Sequence, residues 1–450
     1  MALRVAVVGS GPAGFYAAGR LLAHDPPVAV DLFERLPTPW GLVRLGVAPD
    51  HPKIKAVSRV FERIARQPGF RFFGNVEIGR DLSHGELMAL YDGVIYAVGA
   101  QTDRRLGIPG EDLPGSWPAT AFVAWYNAHP DFYGLPFDLS SKRAVVIGNG
   151  NVAVDVARML ALTADELATT DAADDAIDAI VTAGIEEIVV LGRRGPAQAA
   201  FTTPELIELT ELPGADLIVD PTDLELDPAS AAALEDDTAL ARRNVEVLRE
   251  AAATAPAGKR RRVVLRFCVS PVAILGADGV EAVEIVHNRL VADAEGRISA
   301  VATDRREVIP CGIVLRSVGY RGIPVPGAPF DERRETMPNR EGRVLDESDA
   351  IIPGLYCTGW IKRGPTGVIG TNKKDANETV ELLLEDARAG LLERHNDADV
   401  ADLLAQRGVT PVTEADWQAI DAHERALGEA QGRPRVKLAR WAELLEAAAR

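Results

Sequence analysis

Two stretches of this chain each read as a buried strand, a glycine-rich turn and a helix, and that pattern leaves few folds open. "VAVVGSGPAGFYAAGRL" begins at residue 5, and "VVIGNGNVAVDVA" occupies residues 145 to 157. Leu3 to Val8 are nearly all apolar, as in a parallel strand covered on both faces. Gly9, Gly11 and Gly14 follow in the spacing G-x-G-x-x-G. The first glycine permits the tight turn, the second lets a pyrophosphate approach the backbone, and the third lets the helix pack on the strand. The helix then points its free N–H groups and the positive end of its dipole at the phosphates. The next strand, "VAVDLFE", ends in Glu34, twenty residues past Gly14, where a carboxylate can accept bonds from a ribose diol.

The second turn differs in one respect that decides its ligand. Gly148, Gly150 and Ala153 give G-x-G-x-x-A, but the following strand, "EEIVVLGRRG", ends in Arg193 and Arg194 rather than an acid. An acid there would repel a 2′-phosphate, whereas paired guanidiniums hold one through forked, charge-assisted hydrogen bonds. The second site is therefore expected to prefer NADP over NAD, and the first, with a ribose acid and no such arginines, suits FAD. The arginines come late because "TADELATTDAADDAIDAIVTAGI" reads as an inserted helical segment. Two dinucleotides in one chain imply that one cofactor delivers a hydride and the other receives it.

At 450 residues the chain is too long for one ordinary core, so the fold class expected is α/β with two Rossmann-like dinucleotide-binding domains. The FAD domain is discontinuous in this reading: residues 1–104, then an NADP domain over 105–319, then a return over 320–450 with a C-terminal helical region. The Gly- and Pro-rich "QTDRRLGIPGEDLPGS" marks the first crossing. "GLYCTGWIKRGPTGVIGTNKKDANETV", residues 354–380, reads as strand, glycine-rich turn and helix, with Trp360 offering an aromatic face. Residues 37–55, "PTPWGLVRLGVAPDHPKIK", carry too many prolines and glycines for a regular element and are expected over the flavin side, with His51 among them. The C-terminal stretch is expected to be amphipathic helix packed on the outside, with Trp417 and Trp441 as core anchors.

Composition excludes several functions. The net charge of −17 argues against a nucleic-acid partner, no run of about 18 apolar residues suggests a membrane helix, and the N-terminus lacks the pattern of a secretion signal. Cys268, Cys311 and Cys357 form no C-x-x-C pair, which fits a reducing cytoplasm and thiols that are dispensable for catalysis. No metal site is expected.

Together, "GSGPAGFYAA", "PTPWGLVRLGVAPDHP", "GNGNVAVDVA", "GRRGPAQAAFTTPEL" and "GWIKRGPTGVIGTNKKD" closely resemble the adrenodoxin reductase-like family of NADPH:ferredoxin reductases, in its bacterial branch, over essentially the whole chain. The resemblance implies a ferredoxin–NADP(+) reductase passing electrons from NADPH through FAD to a small iron–sulfur protein. It places Ala13, Glu34, Leu42 and Ile78 around the adenine half of FAD or its ring, and Trp360, Gly367, Val368 and Ile369 at the isoalloxazine and phosphates. Asn149, Gly150, Asn151 and Val152 match the NADP pyrophosphate loop, Arg193 and Arg194 the 2′-phosphate pair, and Glu205 a further NADP contact. Arg104 matches another NADP contact, a role that the neighbouring Arg105 could also take. His51 and Glu208 match an ionic couple beside the flavin.

The residues themselves carry that last point further. "FTTPELIEL" has helix-start chemistry, with Thr203 as N-cap and Pro204 at the first helical position, which sets Glu205 and Glu208 on one face. A carboxylate beside His51 would keep its imidazole protonated near neutral pH. An acidic ferredoxin is expected to dock near Arg242, Arg243, Lys259, Arg260, Arg261 and Arg262, the basic cluster of an acidic chain, and a monomer is expected. Two alternatives stay open at this point: an NADPH-dependent flavin monooxygenase, and an electron-carrier subunit of a larger reductase complex. A disulfide reductase would need the cysteine pair that is missing.

Overall fold

The computed structural model describes residues 3–236 and 239–449. The chain divides into two compact units. One comprises Met1–Thr102, Asn127–Pro130 and Gly319–Arg450; the other comprises Asp103–Tyr126 and Asp131–Val318.

In the first unit five parallel strands run in the order Ile351–Cys357, Gly93–Tyr96, Arg4–Val8, Ala29–Phe33, Phe70–Phe73, with two short antiparallel strands, Arg343–Leu345 and Asn339–Arg340, at one edge. The strand that opens the chain is central, and Val5, Ala6 and Val7 are fully buried, which is why its sequence does not alternate. Its two faces feed two cores. Val5 and Val7 pack with Phe15, Ala17 and Leu21 of the helix Pro12–Leu22 and with Val380 and Leu383 of the helix Ile369–Arg388. Ala6 and Val8 pack with Phe33, Val94, Tyr96 and Leu355. A strand from the last third of the chain thus completes a sheet begun at the first residues.

Three expectations need correction in this unit. The loop over 37–55 does hold regular structure, the short helices Leu42–Leu45 and Pro52–Lys55, the second begun by a proline whose missing N–H costs nothing at a helix start. The C-terminal region is more than an outer layer, because Trp417, Ile420 and Leu444 join the first core. Trp417 is the anchor foreseen, but Trp441 is only half-buried, with the Arg35 guanidinium over its ring. A fourth feature had no signal in the sequence: Asn127–Pro130 belongs to this unit, where the buried Asn127 Oδ1 accepts a bond from Lys437 Nζ at 2.9 Å.

The second unit is built on six parallel strands in the order Ser116–Pro118, Ile313–Arg316, Arg143–Ile147, Glu187–Leu191, Arg261–Arg266, Ala215–Val219. The inserted segment is helical as expected, over Ala164–Leu167 and Asp174–Thr182, the first opened by a capping box between Thr163 and Glu166. An unforeseen antiparallel sheet, Val269–Leu275, Ala282–Ala292 and Ile298–Pro310, lays Val269, Ile274, Val283 and Ile285 against Val145 and Val189 of the main sheet. Among the described residues no helix is long and apolar enough to cross a membrane.

Candidate functional site

The first turn has the geometry its glycines predict. Gly9 sits at φ +104°, and a methyl group on Gly14 would lie 1.9 Å from the Gly9 carbonyl oxygen, so strand and helix touch only because that methyl is absent. At Gly11 an added methyl would meet nothing within 4 Å, which is the open cradle a phosphate needs. Gly11 is also the N-cap of the helix Pro12–Leu22, and no side chain caps its free N–H groups. Glu34 is fixed at the mouth of this turn: its carboxylate accepts bonds from the Ser10 hydroxyl at 2.6 Å, the Ser10 N–H at 3.2 Å and the Leu36 N–H at 3.0 Å. A carboxylate has about four lone-pair directions, so capacity for a ribose hydroxyl remains. Ser10, fully buried between Gly9 and Gly11, is the partner that fixes Glu34, and the spacing of the glycines gives no hint of it.

The other residues assigned to FAD occupy several places in this unit. Ala13 is buried, and a methyl on Gly359 would come within 2.8 Å of its Cβ, so the Trp360 segment packs directly on the first turn of the helix. Trp360 Nε1 donates to the Thr366 carbonyl at 3.1 Å, and its ring lies 5.3 Å from that of Tyr320. Gly367 takes φ +80°, Val368 is exposed, and Ile369 begins the long helix that follows. Asp375, seven per cent exposed, gathers this segment: it accepts from the Gly359 N–H, Thr358 Oγ1, Lys362 and Arg363. Asp375 ends the stretch "GWIKRGPTGVIGTNKKD", and only the fold brings its partners together. Leu42 is exposed at the start of its short helix, whereas Ile78 is buried in the second core with Phe33 and Val76.

The second turn repeats the first. Gly148 is at φ +124°, Gly150 is the N-cap of Asn151–Ala161 without a side-chain cap, and an added methyl on Gly150 would meet open space. Val152 lies in the first turn of that helix, and the Ala153 that replaces the third glycine is fully buried. The turn is tied to the segment beyond the arginines: the Ala200 N–H donates to the Asn149 carbonyl at 3.2 Å, and the Thr202 N–H donates to Asn151 Oδ1 at 2.8 Å. The arginines' own backbone is also pinned, since Asn288 Nδ2 donates to the Arg193 carbonyl and the Cys268 N–H to that of Arg194. Arg194 lines a cleft of about 440 Å³ with Gln198, Ala199, Ser230 and Asn244. Among the described residues neither guanidinium has a carboxylate partner, and burial together with Arg193 pulls the Arg194 pKa below its ordinary value. Two adjacent cations with no anion beside them among the described residues, at the edge of a glycine-rich turn, offer the charge that a phosphate requires.

The remaining candidates fall as follows. Glu205 and Glu208 share the helix Thr203–Thr210, but its N-cap is Thr202 and Pro204 is its second residue, one position earlier than the sequence suggested. Glu205 is buried; Glu208 pairs with Arg158 Nη1 at 3.3 Å. His51 is buried and forms the N-cap of Pro52–Lys55. Arg105 is committed to Asp112 and Glu111, while Arg104 is exposed.

The basic cluster over 242–262 does not survive as drawn. Arg261 is buried and donates to the carbonyls of Leu160, Leu162, Ile180 and Ile185, closing the C-terminal ends of two helices. Lys259 Nζ donates to the Leu212 carbonyl, Arg243 pairs with Glu246 and Glu250, and Arg262 pairs with Glu187. The sequence showed the charges but not these partners. The cysteines are unpaired, and burial pushes the thiols of Cys268 and Cys311 up to about 11 and about 12 and that of Cys357 higher still. None is a thiolate at neutral pH.

Residues 3–190 match the pyridine nucleotide-disulphide oxidoreductase family. NADPH-ferredoxin reductase FprA of Mycobacterium tuberculosis is 54% identical over 98% of both chains, and the mitochondrial NADPH:adrenodoxin oxidoreductase of Homo sapiens is 44% identical over 98% of this chain and 91% of its own. The solved structure of Mycobacterium tuberculosis FprA in complex with NADPH covers 100% of both chains at 52% identity with a TM-score of 0.95. With two glycine-rich turns, Glu34 at one and, at the other, an arginine couple that has no carboxylate partner among the described residues, this chain belongs to the adrenodoxin reductase-like family of NADPH:ferredoxin reductases, in its bacterial branch.

Proposed function

We propose that this chain takes hydride from NADPH and, through FAD, delivers electrons one at a time to a ferredoxin. The observation that carries the reading is the pair Arg193 and Arg194, which has no carboxylate partner among the described residues and stands beside one glycine-rich turn in a chain whose other turn has Glu34. FAD, when bound, can accept electrons as a pair and release them singly. The protein's part is to orient and to tune. The turn Gly148–Ala153 and the two arginines hold the phosphates of NADPH, with Arg104 and Glu205 as further contacts. Ser10, Glu34 and the Trp360 segment hold the other dinucleotide. Mixing the FAD-loaded chain anaerobically with NADPH or NADH tests this: rapid bleaching by NADPH and slow bleaching by NADH at equal concentration is expected, and equal rates would refute it.

His51 and Glu208 are assigned to an ionic couple in the reacting complex, supported by their matching motifs. A polar couple at the flavin edge would help place the nicotinamide. In single turnovers His51→Gln and Glu208→Gln should slow hydride transfer with little change in NADPH affinity; parent-like rates would leave both residues a structural role. The ferredoxin is assigned to the exposed part of the basic cluster, Arg242, Arg243, Arg260 and Arg262. Rising salt should then slow ferredoxin reduction, and a rate indifferent to salt would contradict the assignment. The chain is taken to act as a cytoplasmic monomer, which sedimentation at working concentration would check.

A further inference from the structure

The loop that approaches the FAD turn is gripped from its other side by the C-terminal helices. On the inner side the Trp40 N–H donates to the Ser10 carbonyl at 3.0 Å, and Gly41 lies so close that a methyl on it would sit 3.0 Å from the Gly11 Cα. Trp40 holds φ +85°, a left-handed conformation that a bulky residue adopts only when its surroundings leave no alternative. The outer side supplies those surroundings. The Trp40 ring meets Trp417 edge to face at 5.0 Å and lies 5.8 Å beneath the Arg435 guanidinium. Four residues on, Arg44 donates to both carboxylate oxygens of Glu424 at 2.8 and 2.5 Å, with side chains 2% and 0% exposed. Glu424 also accepts from Arg435 at 3.2 Å and from the Leu438 N–H, and Lys437 Nζ donates to the Arg44 carbonyl.

A buried ion pair adds little net stability over an apolar pair of the same volume, but it enforces one geometry. Here that geometry is the strained one beside Gly11. We propose that Glu424 is a positioning residue: the helix Glu414–Glu429 clamps the loop 40–47 against the first turn, so that tight FAD binding depends on a contact made from the far end of the chain. The inference rests on the FAD reading of that turn.

The test uses the full, FAD-loaded chain and the variants Glu424→Gln and Arg435→Met. Amide exchange over residues 40–47 is compared with the strands Arg4–Val8 and Gly93–Tyr96, and the dissociation constants of FAD and NADPH are measured. Both variants should speed exchange in the loop by about tenfold or more while the strands keep their protection. The FAD dissociation constant should rise by a similar factor and that for NADPH should hold. Parent-like loop exchange with parent-like FAD affinity would overturn the proposal, as would an equal loss of protection across loop and strands. Should Glu424→Gln fail to fold, Arg435→Met, which leaves the Arg44–Glu424 pair intact, is read by the same criteria. Exchange in the FAD-free chain separates the clamp from the FAD reading: a loop loosened there, with no FAD bound by the parent, would sink the FAD site and leave the clamp.

Discussion

Arg194→Ala isolates the feature that sets coenzyme choice. In the free protein this guanidinium is half-buried beside Arg193, has no carboxylate partner among the described residues and has its pKa pulled down by burial and by that neighbour. Removing it therefore breaks no ion pair and relieves a like-charge contact, so the melting temperature without coenzyme should hold or rise slightly. With NADPH bound, the same change deletes hydrogen bonds to a doubly charged phosphate. Hydrogen bonds to charged groups contribute about 1.5–3 kcal/mol each. At about 1.4 kcal/mol per decade, one such bond corresponds to a roughly 10- to 150-fold weaker NADPH complex. NADH, which has a hydroxyl at that position, should lose little. Titration of the FAD-loaded variant with each coenzyme's oxidised form, read by the flavin absorbance, gives both constants. Equal losses for the two coenzymes, or a large fall in stability without coenzyme, would refute the reasoning, because either result would mean that the arginine serves the fold rather than the phosphate.

Other expectations follow from the same geometry. Gly14→Ala forces a methyl against the Gly9 carbonyl and should cost about 1–3 kcal/mol by overpacking together with FAD affinity, measured by urea unfolding and by flavin release; an unchanged FAD affinity would count against the turn as the cofactor cradle. Replacing Cys268, Cys311 and Cys357 together by Ser should leave the rate of flavin reduction intact, since thiols pushed to about 11, about 12 and above carry no thiolate at neutral pH; loss of that rate with FAD still bound would contradict it. Burial holds the Asp103 carboxyl up at about 7 against an ordinary 3.8, so between those values the folded chain binds more protons than the unfolded one. That contribution to stability is fully present below the lower value and is lost as pH rises through about 7. Asp103→Asn should flatten the slope of unfolding free energy across that window, and an unaltered slope would show that Asp103 titrates normally.

Much of the site was legible because its chemistry lies in consecutive residues. Gly9, Gly11 and Gly14, and the Glu34 just past the next strand, sit where one βα unit puts them, and the arginines after Leu191, though late by that spacing, stand at the end of a strand where their charge can be read. What was hidden depends on partners distant in sequence. "KRRR" reads as part of a basic docking cluster, and nothing nearby announces that Arg261 would turn inward to the open carbonyls at the ends of the helices Asn151–Ala161 and Asp174–Thr182. Glu424 looks like any polar residue of an amphipathic helix until the fold sets it on Arg44, and Asp375 looks like one charge among several until Thr358, Lys362 and Arg363 converge on it. The short helices within residues 37–55 were masked by prolines that serve as helix starts as readily as breakers.

The most direct test of the account is the stoichiometry of anaerobic turnover. The FAD-loaded chain is mixed with a limiting amount of NADPH and an excess of oxidised ferredoxin, and cluster reduction is followed optically. Each NADPH consumed should yield about two reduced ferredoxins, because a hydride carries an electron pair that leaves the flavin one electron at a time. NADPH oxidation without cluster reduction, or the same yield from a chain stripped of FAD, would contradict the proposed route.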